Sequence, residues 1–293
     1  MAKIGMIGAG SWGTALTWLL TNNGHHVTMW SALEPEIEML KRDHEQKDKL
    51  PGVILSQDTV FTTQLSEAVE GMDLLVLAVP SPFTRSTSKQ LKGLVHDGQI
   101  IVNVAKGIEE DTLLTLSQII EEEIPQAEVA VLSGPSHAEE VGKGMPTAIV
   151  AGAYRKKTAE YIQNIFMSEV FRVYASPDVL GIELGAALKN VVALAAGIAD
   201  GLGCGDNTKA ALITRGIKEI SRLGMKMGGH FESFYGLSGI GDLIVTCASM
   251  HSRNRRAGIL IGKGYSMEEA MKEVKMVVEG VYSAKAAMGL ARR

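Results

Sequence analysis

Residues 3–15, KIGMIGAGSWGTA, constrain the fold more than any other stretch of this chain. A short apolar run ends in glycine, and Gly8, Gly10 and Gly13 follow with the G-x-G-x-x-G spacing. A helical pattern then continues to about Asn23 and is ended by Gly24. A strand that turns so abruptly into a helix needs a first glycine for the turn, a second without a side chain where a ligand meets backbone, and a third where helix packs on strand. The helix start leaves N–H groups and partial positive charge facing outward, which suits a pyrophosphate. A βα unit with a dinucleotide on its turn is the expectation. Trp12 is read either as an apolar plug over the helix start or as a contact to that ligand.

The first half keeps the same alternation. HVTMW (26–30), LLVLAVP (74–80), IIVNVAK (100–106), VAVLSGP (129–135), TAIVAG (147–152) and FRVYAS (171–176) are strand candidates, with amphipathic stretches such as SEAVEGMD and TLLTLSQIIEEEI between them. Near-continuous apolar strands separated by helices predict a doubly wound, mainly parallel, Rossmann-like sheet covered on both faces. After Pro177 the pattern is helical, as in TKAALITRGIKEISRLGMKMG. The expected division is therefore a nucleotide domain at 1–177 and an all-helical substrate domain at 178–293, and 293 residues suffice for two cores.

Composition narrows the partners. A net charge of -4 gives no global attraction to nucleic acid or anionic membrane, and 5% aromatic residues offer few stacking platforms. The N-terminus lacks the long apolar region of a signal peptide, and no run approaches the eighteen or so apolar residues of a membrane span. Two cysteines, Cys204 and Cys247, have neither disulfide-framework nor metal spacing and suit a reducing cytosol. No metal is expected.

Strand ends carry the candidate site, because ligands of doubly wound sheets lie beyond the carboxyl ends of the strands. After Trp30 come Ser31, Ala32 and Leu33, with Glu34 and Glu36 slightly late and no basic residue in that window. A carboxylate there favours NAD and an arginine NADP, so the reading leans towards NAD. AVPSPF (78–83) would border the cofactor, and Lys106 ends another strand. In SGPSHAEE, Ser136 and Glu139 have capping-box spacing, which predicts a helix start beside Gly134; His137 is read as a capping or surface residue.

GAALKNVVALAAG (185–197) poses the sharper problem. Eleven of its thirteen residues are Gly, Ala, Val or Leu, yet Lys189 and Asn190 stand in the middle. An unpartnered ammonium out of water costs several kcal/mol, roughly, so Lys189 is expected to line a cavity or to pair with a buried group. Desolvation lowers its pKa towards the range useful for proton transfer. Small neighbours such as Gly185, Ala186, Ala187 and Ala193 would let substrate and cofactor approach, and Asn190 could orient the ammonium or the substrate. In GLSGIGDLIVTC, Asp242 and Thr246 share a helical face, and Asp242 could pair with Lys189 or bind a hydroxyl. HSRNRR (251–256) gathers Ser252, Arg253, Asn254, Arg255 and Arg256, a set suited to the phosphate of a small molecule.

In order, GAGSWGTA, AVPS, AKGIE, LSGPSHAEEV, GAALKN, AGIADGLG, KAALITRG, GLSGIGDLIVTC, HSRNRRAG and VVEG resemble bacterial-type NAD(P)-dependent glycerol-3-phosphate dehydrogenase over essentially the whole chain. The resemblance implies reduction of dihydroxyacetone phosphate to sn-glycerol 3-phosphate for glycerophospholipid synthesis, in the cytoplasm, with NAD or NADP; a homodimer is compatible with it. It implies Ser11, Trp12, Ala138, Val278 and Glu279 at the cofactor, and Lys106 and Arg253 at both cofactor and substrate. Gly134, Ser136, Asp242, Ser252 and Asn254 would meet the substrate, and Lys189 would be the general acid and base. Many members carry His-Arg where Ala32-Leu33 stand here, and members continue past VVEG, so the helical domain is expected to be cut short. A β-hydroxyacid dehydrogenase, whose substrate carries a carboxylate, and a dinucleotide sensor without turnover are the alternatives.

Overall fold

The computed structural model describes residues 1–292, which divide into two compact units. The first, residues 1–105, 117–132 and 136–177, carries most of an eight-stranded sheet. Its strands are β1 (Lys3–Ile7), β2 (His26–Trp30), β3 (Val60–Thr62), β4 (Leu74–Leu77), β5 (Ile100–Asn103), β6 (Glu128–Ser133), β7 (Thr147–Ala153) and β8 (Phe171–Ser176), in the order β3-β2-β1-β4-β5-β6-β7-β8. β3 pairs with β2, β2 with β1, β1 with β4, β4 with β5, β5 with β6 and β7 with β8, all in parallel. The expected doubly wound, mainly parallel sheet is present. Along β4, Leu74 and Val76 enter one apolar core while Leu75 and Leu77 enter another, so both faces are covered. That explains a run with no polar alternation.

The helices of this part are α1 (Ser11–Asn22), α2 (Glu34–Asp43), α3 (Thr84–Leu91), α4 (Leu116–Glu123), α5 (Ala138–Val141) and α6 (Lys156–Phe166). Several expectations shift. VFT (60–62) forms edge strand β3, too short to show a pattern. SEAVEGMD yields only a 3-10 turn at Ser66–Ala68. Three strands stop early, leaving Ala78–Pro80, Val104–Lys106 and Gly134–Pro135 as irregular backbone just past carboxyl ends.

The second unit comprises residues 106–116, 133–135 and 178–293. Two short stretches ahead of Pro177 pack with this unit: Ile108, for example, belongs to the same apolar core as Leu184, Ala187 and Leu290. Its helices are α7 (Val179–Gly201), α8 (Asp206–Lys226), α9 (Phe231–Phe234), α10 (Asp242–Ala248), α11 (Arg253–Gly262), α12 (Met267–Val274) and α13 (Glu279–Arg292). α7 is the core of this unit. Asp178 caps it, accepting from the Gly181 amide at 2.9 Å, and also takes the His230 amide and the Ser233 hydroxyl. By length and composition α7 could cross a membrane, which a count of uninterrupted apolar residues overlooks; 72% of its most apolar window is buried inside the protein.

Glycines set how closely α11 lies on α7. A Cβ on Gly258 would stand 2.2 Å from the Leu194 carbonyl oxygen, and one on Gly197 2.2 Å from that of Arg255. Backbone therefore meets backbone, and the register of Lys189 and Asn190 against Arg253 and Asn254 is fixed to within a side chain's slack.

Candidate functional site

The glycine loop has the shape that its sequence requires. Gly8 has φ +126°, and a Cβ there would collide with the Ala78 carbonyl carbon at 2.8 Å. A Cβ on Gly13 would lie 2.1 Å from the Gly8 carbonyl oxygen, so this glycine is demanded by helix–strand packing. Gly10 differs, because a Cβ there would meet nothing within 4 Å. The first helical hydrogen bond runs from the Thr14 amide to the Gly10 carbonyl at 2.9 Å. Ser11, Trp12 and Gly13 thus present amides without helical acceptors beside open space, a cradle that fits a pyrophosphate. Trp12 is half-buried and packs on the sheet core.

At the end of β2 the expected acceptor is committed. Glu36 lies in the first turn of α2, is only 9% exposed, and takes the Ser31 hydroxyl on Oε2 at 2.5 Å. Its Oε1 accepts from Gln46 Nε2 at 2.7 Å and from Lys49 Nζ. Gln46 also donates to the Ala9 carbonyl at 2.9 Å, tying this cluster to the glycine loop. Glu36 is therefore not a solvated helix-start charge. Lys49, well past the end of β2 in sequence, is brought to the Glu36 carboxylate by the fold.

In the helical unit, Lys189 is 6% exposed and partnered on two sides. Its Nζ donates to Asp242 Oδ1 at 2.9 Å and to Thr246 Oγ1 at 2.6 Å. The Thr246 hydroxyl in turn donates to the Asp242 carbonyl at 2.6 Å, which fixes it as an acceptor towards the lysine. Asp242 Oδ2 takes Lys106 Nζ at 2.5 Å, and the same ammonium donates to the Gly134 carbonyl at 3.1 Å. Four residues expected at the site, Lys106, Lys189, Asp242 and Thr246, are thus one hydrogen-bonded group, with two ammoniums around one carboxylate. Burial pushes Lys189 down to about 8, against the attraction of Asp242 and with the repulsion of Lys106. Burial opposes ionisation of Asp242 as well, but Lys106 and Lys189 outweigh it and hold the carboxyl below its ordinary value.

The local backbone explains this convergence. Leu237–Gly241 forms a turn of π-helix directly ahead of Asp242. Gly239 lets it approach Phe234, where a Cβ would lie 2.0 Å from the carbonyl oxygen. A Cβ on Gly185 would lie 3.1 Å from the Ser238 carbonyl oxygen, and Ala187 and Ala193 are fully buried in the apolar core. The small residues around Lys189 thus admit protein backbone and core packing, where an approach of substrate and cofactor was expected.

Asn190 does not bind the ammonium. Its Oδ1 accepts from Asn254 Nδ2 at 2.9 Å, and Asn254 Oδ1 accepts the Gly280 amide at 2.8 Å. The Gly280 N–H fixes the sense of both amides, so Asn190 keeps its NH2 group for another partner. Ser252 caps α11 by accepting from the Arg255 amide at 3.2 Å. The basic cluster divides in two. Arg255 grips Asp200 through Nε and Nη2, both at 2.8 Å, and is structural. Arg253 makes no ion pair among the described residues, and Arg256 Nε is buried without a hydrogen-bond partner there.

Other expected positions fall as follows. α5 begins at Ala138 with His137 in the N-cap position and no side-chain cap, so the helix starts one residue later than Ser136 suggests. Ala138 is buried against the sheet core. Val278 is fully buried, packed with Ala257, Val274 and Val281 in an apolar cluster of the helical unit. Glu279 opens α13 and adds to the electrostatic support of Lys189. Sequence reasoning missed Lys49, Gln46, Asp200 and Gly280, whose roles rest on pairings between distant segments.

Two family models match almost end to end: residues 3–159 fit the NAD-dependent glycerol-3-phosphate dehydrogenase N-terminus, and residues 178–293 its C-terminus. A glycerol-3-phosphate dehydrogenase [NAD(P)+] of Agathobacter rectalis is 66% identical over all of this chain and 87% of its own length. That of Fusobacterium nucleatum is 63% identical over all of this chain and 88% of its own length. The crystal structure of glycerol-3-phosphate dehydrogenase from Coxiella burnetii superposes with a TM-score of 0.96 at 34% identity, covering 99% of this chain and 89% of that one. With the glycine cradle on a parallel sheet and the lysine–carboxylate group in the helical unit, these likenesses agree: the chain belongs to the NAD-dependent glycerol-3-phosphate dehydrogenase family.

Proposed function

We propose that this oxidoreductase interconverts dihydroxyacetone phosphate and sn-glycerol 3-phosphate in the cytoplasm, serving glycerophospholipid synthesis, with Lys189 as the group that moves the proton. The observation that carries this reading is the buried group of Lys189, Asp242, Thr246 and Lys106. The dinucleotide, when bound at Gly8, Gly10, Ser11, Trp12 and Gly13, supplies or accepts hydride. In the reducing direction the C2 carbonyl oxygen gains negative charge, and two ammoniums around one carboxylate leave net positive charge to stabilise it. Lys189 then gives its proton to that oxygen, and it takes the proton back in the oxidising direction. Thr246 and Asp242 hold Nζ in place, and Lys106 adds charge beside it. Asn190, with its NH2 group uncommitted, is suited to donate to a substrate oxygen.

The phosphate fits the start of α11. Asn254 spends its side chain on Asn190 and Gly280, so the anchor we propose is the Arg253 guanidinium with the free amides of Arg253 and Asn254 behind the Ser252 cap. Gripping a remote phosphate converts binding energy into alignment of the carbonyl. The test is nicotinamide absorbance on mixing the protein, NADH and dihydroxyacetone phosphate. Lys189→Ala should lose on the order of 10²–10⁴-fold in turnover, the usual contribution of a positioned acid, while still binding NADH. Turnover within tenfold of the parent would remove Lys189 from the role. Oxidation of NADH with a small keto acid but not with dihydroxyacetone phosphate would favour a β-hydroxyacid dehydrogenase.

A further inference from the structure

We infer that Lys49 and Glu36 together decide how this enzyme divides its affinity between NADPH and NADH, Lys49 favouring the 2′-phosphate and Glu36 opposing it. The inference rests on the reading above that the glycine loop holds a dinucleotide. In such a fold the adenosine ribose lies past the end of the second strand, where a free carboxylate selects the 2′-hydroxyl and a cation the 2′-phosphate. Here the three residues after Trp30 offer only the Ser31 hydroxyl, with Leu33 57% exposed. Glu36 cannot serve as an unencumbered ribose acceptor, because Ser31, Gln46 and Lys49 occupy both of its oxygens. Lys49 is the opposite case. Its side chain is 35% exposed, it has one ion-pair partner among the described residues, and an ammonium carries three donors. It bonds the other oxygen of the carboxylate that holds Ser31, so one carboxylate group separates its ammonium from the Ser31 hydroxyl just past the second strand. Gln46 bonds the same carboxylate and the Ala9 carbonyl, so the pair belongs to the ground on which the dinucleotide lies.

The charges then set the signs. Paired with Glu36, Lys49 makes a locally neutral site, which a hydroxyl tolerates and a phosphate dianion must share with a carboxylate. Removing the cation should disfavour the phosphate, and neutralising the carboxylate should favour it. A purely structural pair would change affinity for both cofactors together.

The test measures binding, not turnover. NADPH and NADH are titrated against the parent, Lys49→Met, Lys49→Arg and Glu36→Gln by nicotinamide fluorescence. Adenosine 2′,5′-bisphosphate and ADP are titrated by calorimetry as probes without nicotinamide. In Lys49→Met the ratio of NADPH to NADH affinity should fall by about tenfold, the size of one partly exposed charge-assisted contact. Lys49→Arg should keep the parent's ratio, Glu36→Gln should raise it, and the bisphosphate should follow NADPH. An unchanged ratio in Lys49→Met, or ratios that move the same way in Lys49→Met and Glu36→Gln, overturns the inference. A parent that binds neither dinucleotide overturns it too and also removes the reading beneath it; binding without the predicted ratios removes the inference alone.

Discussion

Asp242→Asn is the substitution that most directly tests the account of Lys189. It keeps the size of the side chain but leaves the Lys189 and Lys106 ammoniums, at 2.9 and 2.5 Å, around a neutral amide. In the reducing direction Lys189 must carry a proton. Its value of about 8 therefore means that kcat holds at lower pH and falls as pH rises through about 8, and that oxidation shows the reverse. Burial is what lowers that value and Asp242 is the main attraction resisting it. An ion pair at contact is worth on the order of 4 kcal/mol at an effective dielectric of about 20. Part of this is recovered by water and by the amide oxygen, yet even a third of it equals about one pKa unit. The limb near pH 8 should thus move down by at least about one unit in the variant, and kcat at neutral pH should fall. Initial rates across pH at saturating substrate and cofactor read the limb directly. A limb that stays near 8, or moves up, would refute the claim that Asp242 keeps Lys189 charged. Stability should fall as well, by about 3–5 kcal/mol, because two largely buried cations lose their shared partner.

Three further outcomes separate structure from chemistry. Gly258→Ala sets a methyl group 2.2 Å from the Leu194 carbonyl oxygen, so it should lower stability in denaturant titration by about 1–3 kcal/mol or more and reduce kcat by moving α11 off α7. Gly13→Ala should destabilise the fold through contact with the Gly8 carbonyl oxygen, whereas Gly10→Ala, facing open space, should keep parental unfolding and weaken NADH binding in fluorescence titration. Asn254→Asp can still accept from the Gly280 amide but cannot donate to Asn190 Oδ1. Asn190 should then turn its own NH2 group towards residue 254, raising KM for dihydroxyacetone phosphate and lowering kcat, with little change in NADH affinity.

What the sequence disclosed depended on how local each signal is. The glycine loop is read within six residues, and the strands around it show as apolar runs because both faces of their sheet are covered. Asp242 and Thr246 are one helical turn apart, so their shared face could be derived. That Lys189 would line a cavity or pair with a buried group followed from solvation alone, and it has two buried partners. Other roles depend on pairings that no local pattern encodes. Arg255 looks like a phosphate ligand until Asp200, 55 residues away, takes both of its inner nitrogens. Asn254 looks like another until the Gly280 amide arrives from α13. Glu36 and Lys49 are thirteen residues apart on different segments, so the sequence past β2 shows the acid but neither its burial nor the base that pairs with it. β3, three residues long, has no period to detect.

The price of this arrangement is visible in Lys189. Between its folded value of about 8 and its ordinary 10.5, the unfolded chain binds more protons than the folded one, so this group's contribution to stability rises as pH rises through that window. At neutral pH the charged lysine is therefore a net burden on the fold, lessened but not cancelled by Asp242. A fold under no other demand would relieve the burden with an apolar residue, since neighbours such as Ala187 and Ala193 are already buried without cost. Instead α7 is locked on one side to α11 by backbone contacts at Gly197 and Gly258, and on another to the π-helical turn at Gly185. Those contacts leave Nζ little choice but to meet Asp242 and Thr246. The rigidity of α7 is thus what keeps the strained charge in register, and any substitution that loosens it should relax Lys189 towards its ordinary pKa before it unfolds the protein.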